Sequence, residues 1–140
     1  MRTLIFSIIV LFTTLCSGCN QNDLDILRGS PFTLTLKPLP FTIQRDETVP
    51  LDLRIRRERF FLGTKYRLSW RQVVGQGTLK DENGADILPG KPYDLSSETF
   101  TLNYTSYSDT EHLLDLTVID NFGQEKLVRA KLGYEPRQGK

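Results

Sequence analysis

The residue with the clearest chemistry in this 140-residue chain is Cys19, a thiol close to the start. An apolar run at residues 4–15 follows Arg2, and the small pair Ser17 and Gly18 stands directly before Cys19. The run has about a dozen residues, whereas a helix needs about twenty to cross a bilayer core of about 30 Å. The pattern is typical of an export signal that is cleaved, and it argues against a permanent transmembrane helix.

The residues before Cys19 resemble the lipobox of bacterial lipoproteins, in which the cysteine is diacylated and becomes the new N-terminus. Ser17 and Gly18 fit that motif, while Cys16 stands where the motif prefers leucine. Each buried CH2 contributes about 0.8 kcal/mol, so two or more acyl chains anchor a protein stably. The resemblance predicts lipidation at Cys19. Two alternatives stay open, because both cysteines could be discarded with a secretory peptide or could pair as a disulfide.

Length and composition indicate one globular domain. Cleavage before Cys19 removes 18 of 140 residues and leaves 122, a common domain size. We expect a signal peptide at 1–18, a lipidated polar tether at 19–30, a β-sandwich domain at 31–136 and a polar tail at 137–140. The mature chain then keeps a single cysteine, so its stability must come from burial of a core and not from a disulfide.

Beyond Pro31, apolar and polar residues alternate with period two, which predicts half-buried strands. The clearest apolar sets are Phe32, Leu34 and Leu36; Leu51, Leu53 and Ile55; Tyr66, Leu68 and Trp70; Phe100, Leu102 and Tyr104; Leu114, Leu116 and Val118; and a final strand within residues 124–134. Turn residues such as Asn83-Gly84 separate these segments. We expect an all-β fold, an antiparallel immunoglobulin-like β-sandwich of about seven strands without a disulfide. Trp70 should pack in the core, and the strand near Pro50 should be an edge.

The charges divide the chain into a basic and an acidic part, although the net charge is only +1. Residues 48–71 hold seven basic and two acidic side chains, whereas residues 81–115 hold eight acidic side chains and one lysine. If the two basic strands pair as a hairpin, four arginines share its outward face and form a surface for an acidic protein partner or anionic lipid: Arg54, Arg56, Arg67 and Arg71. The alternative is a solvated face neutralised by neighbouring acids. Direct nucleic-acid binding is not expected, because a pI of about 7.7 is not strongly basic.

Patterns typical of catalysis or metal binding are weak. His112 is the single histidine, which excludes a histidine-based metal cluster, and no Gly-x-Ser-x-Gly motif supports a serine hydrolase. An acidic segment could offer oxygen ligands to calcium, but its spacing lacks the full loop pattern, so we favour a turn: Asp81, Glu82, Asn83 and Asp86. We expect no catalytic residues, no metal and no cofactor, and a protein that is not an enzyme.

Several segments together resemble the TraQ lipoprotein family of Bacteroidetes conjugative transposons. They are residues 31–33, VVGQGTL at 73–79, and residues 88–89, 98–100, 104–106 and 120–124. The resemblance implies an accessory of the conjugative DNA-transfer apparatus and supplies no catalytic residues. Together with Cys19, it leads us to expect a membrane-anchored structural or interaction protein in the cell envelope, at the outer membrane in preference to the inner, with protein partners in that apparatus.

The alternative function is a surface lipoprotein with an adhesin-like or carbohydrate-binding β-sandwich. Such a module would need an exposed aromatic platform, for which Tyr93, Tyr104 and Tyr107 are the candidates.

Overall fold

The computed structural model describes residues 29–136 and 138, and within them the chain forms ten strands and no helix. The strands are β1 (Phe32–Leu36), β2 (Thr42–Ile43), β3 (Thr48–Arg57), β4 (Tyr66–Val74), β5 (Gly77–Lys80), β6 (Asp86–Ile87), β7 (Tyr93–Leu95), β8 (Thr99–Ser106), β9 (His112–Asp120) and β10 (Glu125–Tyr134). Seven of these have four or more residues. The all-β prediction is confirmed, and the six strands named from the alternation omit the shorter strands β2, β5, β6 and β7.

The predicted signal peptide, the lipidation at Cys19 and nearly all of the tether at 19–30 lie outside the described residues. Within the described ranges, no helix is long and apolar enough to cross a membrane.

The strands form two five-stranded sheets that pack face to face. Sheet A has the order β1-β3-β8-β5-β6, and sheet B has the order β2-β10-β9-β4-β7. The pairing is antiparallel throughout, except that β2 runs parallel to β10. This is the expected sandwich, in which the alternating apolar side chains of both sheets meet in one core.

Trp70 joins the two sheets, as its position in the alternation predicted. Its side chain is 2% exposed, and Nε1 donates a hydrogen bond of 2.7 Å to the carbonyl of Ile87. Trp70 lies on β4 of sheet B and Ile87 on β6 of sheet A. Because the indole nitrogen has a partner, the largest side chain of the core is buried without an unsatisfied donor.

One turn design closes two hairpins, β5–β6 and β9–β10. Asp81 and Asp120 each accept, through Oδ1, hydrogen bonds of 2.8–3.0 Å from the backbone amides two and four residues later. Gly84 and Gly123 follow at the same place, with φ of +84° and +86°. Glycine adopts this left-handed conformation without the steric cost of a side chain. The acidic segment at residues 81–86 therefore includes the turn that the sequence favoured.

The prediction that Pro50 lies on an edge strand was wrong, because β3 has β1 on one side and β8 on the other. The missing N–H of Pro50 still removes no backbone hydrogen bond between strands. The amide of Ile55 donates to the carbonyl of Glu98 on the β8 side, and the carbonyl of Asp52 accepts from the amide of Lys37 on the β1 side. Backbone groups alternate between the two sides along a strand, so Pro50, two residues before Asp52, also faces the β1 side. β1 pairs with β3 only from Leu53 to Arg57, and thus ends before it reaches Pro50.

The sandwich has two distinct ends. At the Ser30 end, the described chain begins beside the β3–β4 loop and the β9–β10 turn: Ser30 Oγ accepts from the amide of Arg59, and its carbonyl accepts from Gln124 Nε2. At the His112 end lie the β4–β5 and β8–β9 connections, where Gln76 accepts from the amide of Tyr107. All candidate sites can be placed relative to these ends.

Candidate functional site

The four arginines of the predicted partner surface lie on two different sheets. Arg54 and Arg56 are exposed on β3 of sheet A, whereas Arg67 and Arg71 are exposed on β4 of sheet B. The hairpin that was the condition for this shared surface does not form, since β3 pairs with β1 and β8 while β4 pairs with β9 and β7. The prediction was wrong on this point because alternation shows which residues share a face of one strand, but not which strands are neighbours.

On sheet B, Arg71 and Arg129 share the carboxylate of Asp115 across three neighbouring strands. Arg71 lies opposite Asp115 in register, and Asp115 lies opposite Arg129. Asp115 Oδ2 is 2.9 Å from Arg71 Nη2, and Asp115 Oδ1 is 2.7 Å from Arg129 Nε. Hydrogen bonds from Arg129 and Arg71 lower the pKa of Asp115 to about 2. Arg71 is therefore engaged by an acid on a neighbouring strand.

On sheet A, Arg54 and Arg56 stand on a face rich in threonine. Arg56 is opposite Thr33, and Arg54 lies between Thr35 and Thr99. The hydroxyls of Thr33 and Thr35 donate to the carbonyls of the opposite arginines, at 3.4 and 3.3 Å. Asp52 lies on the same face but is engaged by Lys37 and Thr101, and both arginines are exposed to solvent.

At the His112 end, sequence reasoning missed a buried polar cluster. His112, Tyr104 and Ser106 are each 0% exposed. His112 Nδ1 lies 2.7 Å from the Tyr104 hydroxyl, and Nε2 lies 2.9 Å from Ser106 Oγ. The Tyr104 hydroxyl also donates to Gln72 Oε1 at 3.2 Å. Both ring nitrogens therefore have partners, as buried polar groups require.

Two glycines make room for this cluster. A Cβ on Gly75 would stand 2.6 Å from His112 Nδ1, and a Cβ on Gly77 would collide with the Tyr104 hydroxyl. Both belong to the VVGQGTL stretch that carried the family resemblance. The close approach of this backbone to the two rings is the physical reason for glycine at these positions.

The cluster combines a serine with a histidine but is closed to substrates. Ser106 and His112 have the spacing of a nucleophile and its base, yet Tyr104 bonds Nδ1, where a hydrolytic triad has a carboxylate. Burial lowers the pKa of His112 below its usual 6.5, and burial raises the pKa of Tyr104 to about 12. Both side chains thus stay neutral at physiological pH. The arrangement stabilises the core; the absence of enzyme activity stays a prediction.

Asp81 uses its carboxylate oxygens within the protein. Oδ1 accepts from the backbone of the turn, and Oδ2 accepts a 2.6 Å hydrogen bond from the Tyr93 hydroxyl. These bonds, led by the one from Tyr93, lower the pKa of Asp81. Among the residues that the structure describes, no group of three or more His, Cys, Asp or Glu side chains could hold a metal ion.

The most unusual exposed surface is the β3–β4 loop at residues 58–65, which we call the aromatic loop. Phe60, Phe61 and Leu62 are 71%, 42% and 90% exposed. Arg59 and Lys65 flank them and are also exposed. A run of three apolar residues between two predicted strands, bounded by basic residues, was the sequence signal that could have revealed this surface.

Hydrogen bonds hold the aromatic loop in place. The Asn121 side chain accepts from the amide of Lys65 and donates to the carbonyl of Gly63, both at 2.9 Å. Arg57 lies with its guanidinium carbon 4.1 Å from the centre of the Phe60 ring, and its Nε lies 2.6 Å from Glu98 Oε1. These contacts hold the backbone of the loop in place, while Phe60, Phe61 and Leu62 at its apolar tip stay exposed to solvent.

Comparison with protein families shows to which family this chain belongs. The model of the TraQ conjugal transfer protein family matches residues 2–134. The chain belongs to this family. The resemblance stated from the short segments is confirmed, and the family connects the chain with conjugation. Comparison with curated proteins gives no match.

Solved structures agree with this membership. A conjugative transposon lipoprotein from Bacteroides eggerthii DSM 20697, known from a crystal structure, is 33% identical, with a TM-score of 0.69 over 74% of this chain and 98% of that one. A lipoprotein from Bacteroides thetaiotaomicron, solved by NMR, is 33% identical, with a TM-score of 0.69 over 82% and 88%. The conjugate transposon protein (27–141) from Bacteroides vulgatus is 35% identical, with a TM-score of 0.67 over 85% and 97%.

Proposed function

We propose that this chain is a lipid-anchored, non-enzymatic accessory of a conjugative DNA-transfer apparatus. Cys19 holds it in the cell envelope, at the outer membrane in preference to the inner, and it acts by contact with protein components of that apparatus. The family match over residues 2–134 carries the proposal. The similar proteins from B. eggerthii and B. thetaiotaomicron, which are lipoproteins, support the anchor.

The chemistry of the described residues supports a role in contact and not in turnover. His112 and Ser106 are buried with every ring nitrogen of the histidine in a hydrogen bond. A substrate would have to open the core to reach them.

The carbohydrate-binding alternative finds less support, because its three candidate tyrosines form no common platform. Tyr104 is fully buried, against the expectation that it could be exposed. Tyr93 is partly buried and donates its hydroxyl to Asp81. Tyr107 is 44% exposed and is the one of the three that offers a ring to solvent.

Replacement of the acylated thiol tests the anchor. We expect Cys19→Ala to abolish membrane retention and to reduce transfer from donor cells, since the acyl chains supply the membrane affinity. Cys16→Leu is the matched control, because it removes the other thiol and supplies the residue that the lipobox prefers, and this variant should fractionate like the wild type. Membrane retention of Cys19→Ala at the wild-type level would contradict the proposal.

The partner surface is proposed on sheet A. Arg54 and Arg56 remain available there, whereas Asp115 engages Arg71 on sheet B. We expect Arg56→Glu to reduce transfer and the recovery of transfer proteins with the affinity-purified chain from mating donor cells. Arg67→Glu makes the same charge change on the other sheet and should have little effect. An equal loss of transfer in both variants, or no loss in either, would refute the placement of the partner surface on sheet A.

A further inference from the structure

The aromatic loop exposes apolar side chains that folding alone does not explain. Phe60 and Leu62 are among the most exposed large apolar residues of the described chain, and they stand beside Phe61 on one short loop. Phe122 of the adjacent β9–β10 turn adds a fourth apolar side chain, 39% exposed, at the same end. Exposed apolar groups clustered beside Arg59, Lys65 and the acidic Glu58 are typical of an interaction surface.

The aromatic loop lies where the described chain begins. The amide of Arg59 donates to Ser30 Oγ at 2.7 Å, and the amide of Glu58 donates to the carbonyl of Pro31 at 3.1 Å. Ten residues lie between Cys19 and Ser30, and the eleven Cα-to-Cα steps that join them span at most about 40 Å. An anchor at Cys19 thus keeps the Ser30 end of the sandwich within reach of the bilayer surface.

We propose that the aromatic loop is a second membrane contact, which docks the Ser30 end of the sandwich onto the bilayer. Phe60, Phe61 and Leu62 enter the boundary between head groups and acyl chains. Arg59 and Lys65 face anionic head groups. This orientation rests on the proposed lipid anchor at Cys19, which brings the loop to the membrane and makes even a weak contact effective.

A bilayer fits this surface better than a protein partner does. The apolar tip consists of three consecutive side chains on a projecting loop, whereas a stable protein interface buries about 800 Å² on each partner. Membranes, in contrast, accept small apolar protrusions, and aromatic and basic side chains together are typical of the head-group region. The attraction of Arg59 and Lys65 to anionic lipid adds to this and weakens as salt screens it.

Depth measurement on the lipidated full-length protein tests the docking. In vesicles of phosphatidylethanolamine and phosphatidylglycerol, a tryptophan at Phe60→Trp should be quenched by brominated acyl chains and should emit at shorter wavelength. Phe41→Trp is the matched control, because Phe41 is 96% exposed and lies beside Gly133 near the His112 end. The buried Trp70 gives the same background in both. Equal quenching at the two positions would overturn the proposal.

Vesicle binding without the anchor separates this proposal from the anchor itself. Residues 19–140 made without lipid should fold, since the described strands and core lie between residues 32 and 134, and the B. vulgatus relative is folded in solution as the fragment 27–141. We expect weak, salt-sensitive binding to the same vesicles, reduced about tenfold or more by the double variant Phe60→Ser/Leu62→Ser. Phe41→Ser should bind like the wild type. Binding that is absent, or unchanged in the double variant, refutes the docking whatever the result at Cys19.

Self-association would give a different result. If a second copy of the chain covered the aromatic loop, sedimentation would show a dimer at micromolar concentration that the double variant dissolves, and vesicle binding would not depend on the loop. That outcome would overturn the membrane proposal. A monomer with loop-dependent vesicle binding supports it.

Discussion

The two ends of the sandwich differ in where they place polar and apolar side chains. The His112 end places an imidazole, a phenol and a hydroxyl inside the core, whereas the Ser30 end places two phenylalanines and a leucine in solvent. Each arrangement depends on hydrogen bonds: at the His112 end they satisfy the buried side chains, and at the Ser30 end Asn121 holds the backbone of the aromatic loop. Burial at the His112 end contributes to stability, whereas the Ser30 end exposes apolar side chains that folding alone does not require.

The largest effect should come from crowding the buried cluster. In Gly77→Ala, the new methyl group meets the Tyr104 hydroxyl and the backbone of Thr105. We expect a loss of about 3 kcal/mol in the free energy of unfolding, because the strand cannot move without breaking the ladder. Urea denaturation measures it. Gly84→Ala, where nothing lies within 4 Å but φ is +84°, should cost about 1 kcal/mol. Similar losses in the two variants would contradict this account of the cluster.

Removal of one hydroxyl from the cluster should have the next largest effect. Tyr104→Phe leaves His112 Nδ1 without its partner in the core, which should cost about 2 kcal/mol of unfolding free energy. Tyr107→Phe removes the same group from a side chain that is 44% exposed, and should change stability by less than about 0.5 kcal/mol. Thermal unfolding of both variants checks the difference. An equally small effect of Tyr104→Phe would show that the histidine finds another partner.

The buried histidine should make stability depend on pH. Its pKa in the folded protein lies below the ordinary value of 6.5, so the unfolded chain binds the proton more readily. Stability is therefore fully present above pH 6.5 and falls as the pH drops from there towards the folded-state pKa. Urea denaturation at pH 7.5 and 5.5, with NMR titration of the single histidine, tests this. A histidine that titrates at 6.5 in the folded protein would be incompatible with the burial described.

The contribution of Asp115 to stability is lost over a different pH range from that of His112. Because its folded-state pKa is about 2, against an ordinary 3.8, its stabilising contribution is present above pH 3.8 and disappears as the pH falls towards 2. The histidine and carboxylate contributions can therefore be measured independently.

The smallest effect on folding should come from the aromatic loop. Phe60→Ser/Leu62→Ser removes two side chains that are mostly in solvent, so stability should change by less than about 1 kcal/mol, including the loss of the contact between Arg57 and Phe60. Leu68→Ala, in the core, should cost about 3 kcal/mol by comparison. Calorimetry of both variants tests whether the loop contributes to folding. A large loss in the double variant would mean that the loop packs against the sandwich.

Local pattern predicted the parts of the fold that depend on one strand at a time. Alternation placed Leu68 and Trp70 in the core, because a half-buried strand must turn alternate side chains inward. Asp120 and Gly123 revealed a hairpin, since the turn depends on residues close in sequence. These features need no knowledge of neighbouring strands.

Features that depend on distant segments could not be predicted in the same way. Arg56 and Arg67 belong to strands that alternate alike, yet one lies on sheet A and the other on sheet B, because pairing is decided by contacts across the whole chain. His112 is in phase with the buried Leu114, but the polar cluster could not be predicted from β9 alone, since the partners Tyr104 and Ser106 come from another strand. The aromatic loop was overlooked because it interrupts the alternation on which the strand predictions rested.

Pro50 also has a consequence for how the protein behaves when crowded on a surface. On the N-terminal side of Asp52, β3 has no neighbour from β1, and such an open stretch of backbone is a template on which a strand from another molecule can grow. The ring nitrogen of Pro50 faces this gap and cannot donate a hydrogen bond. A neighbouring copy could therefore not form a backbone hydrogen bond with the nitrogen of Pro50, and this residue protects the sheet from aggregation at this place.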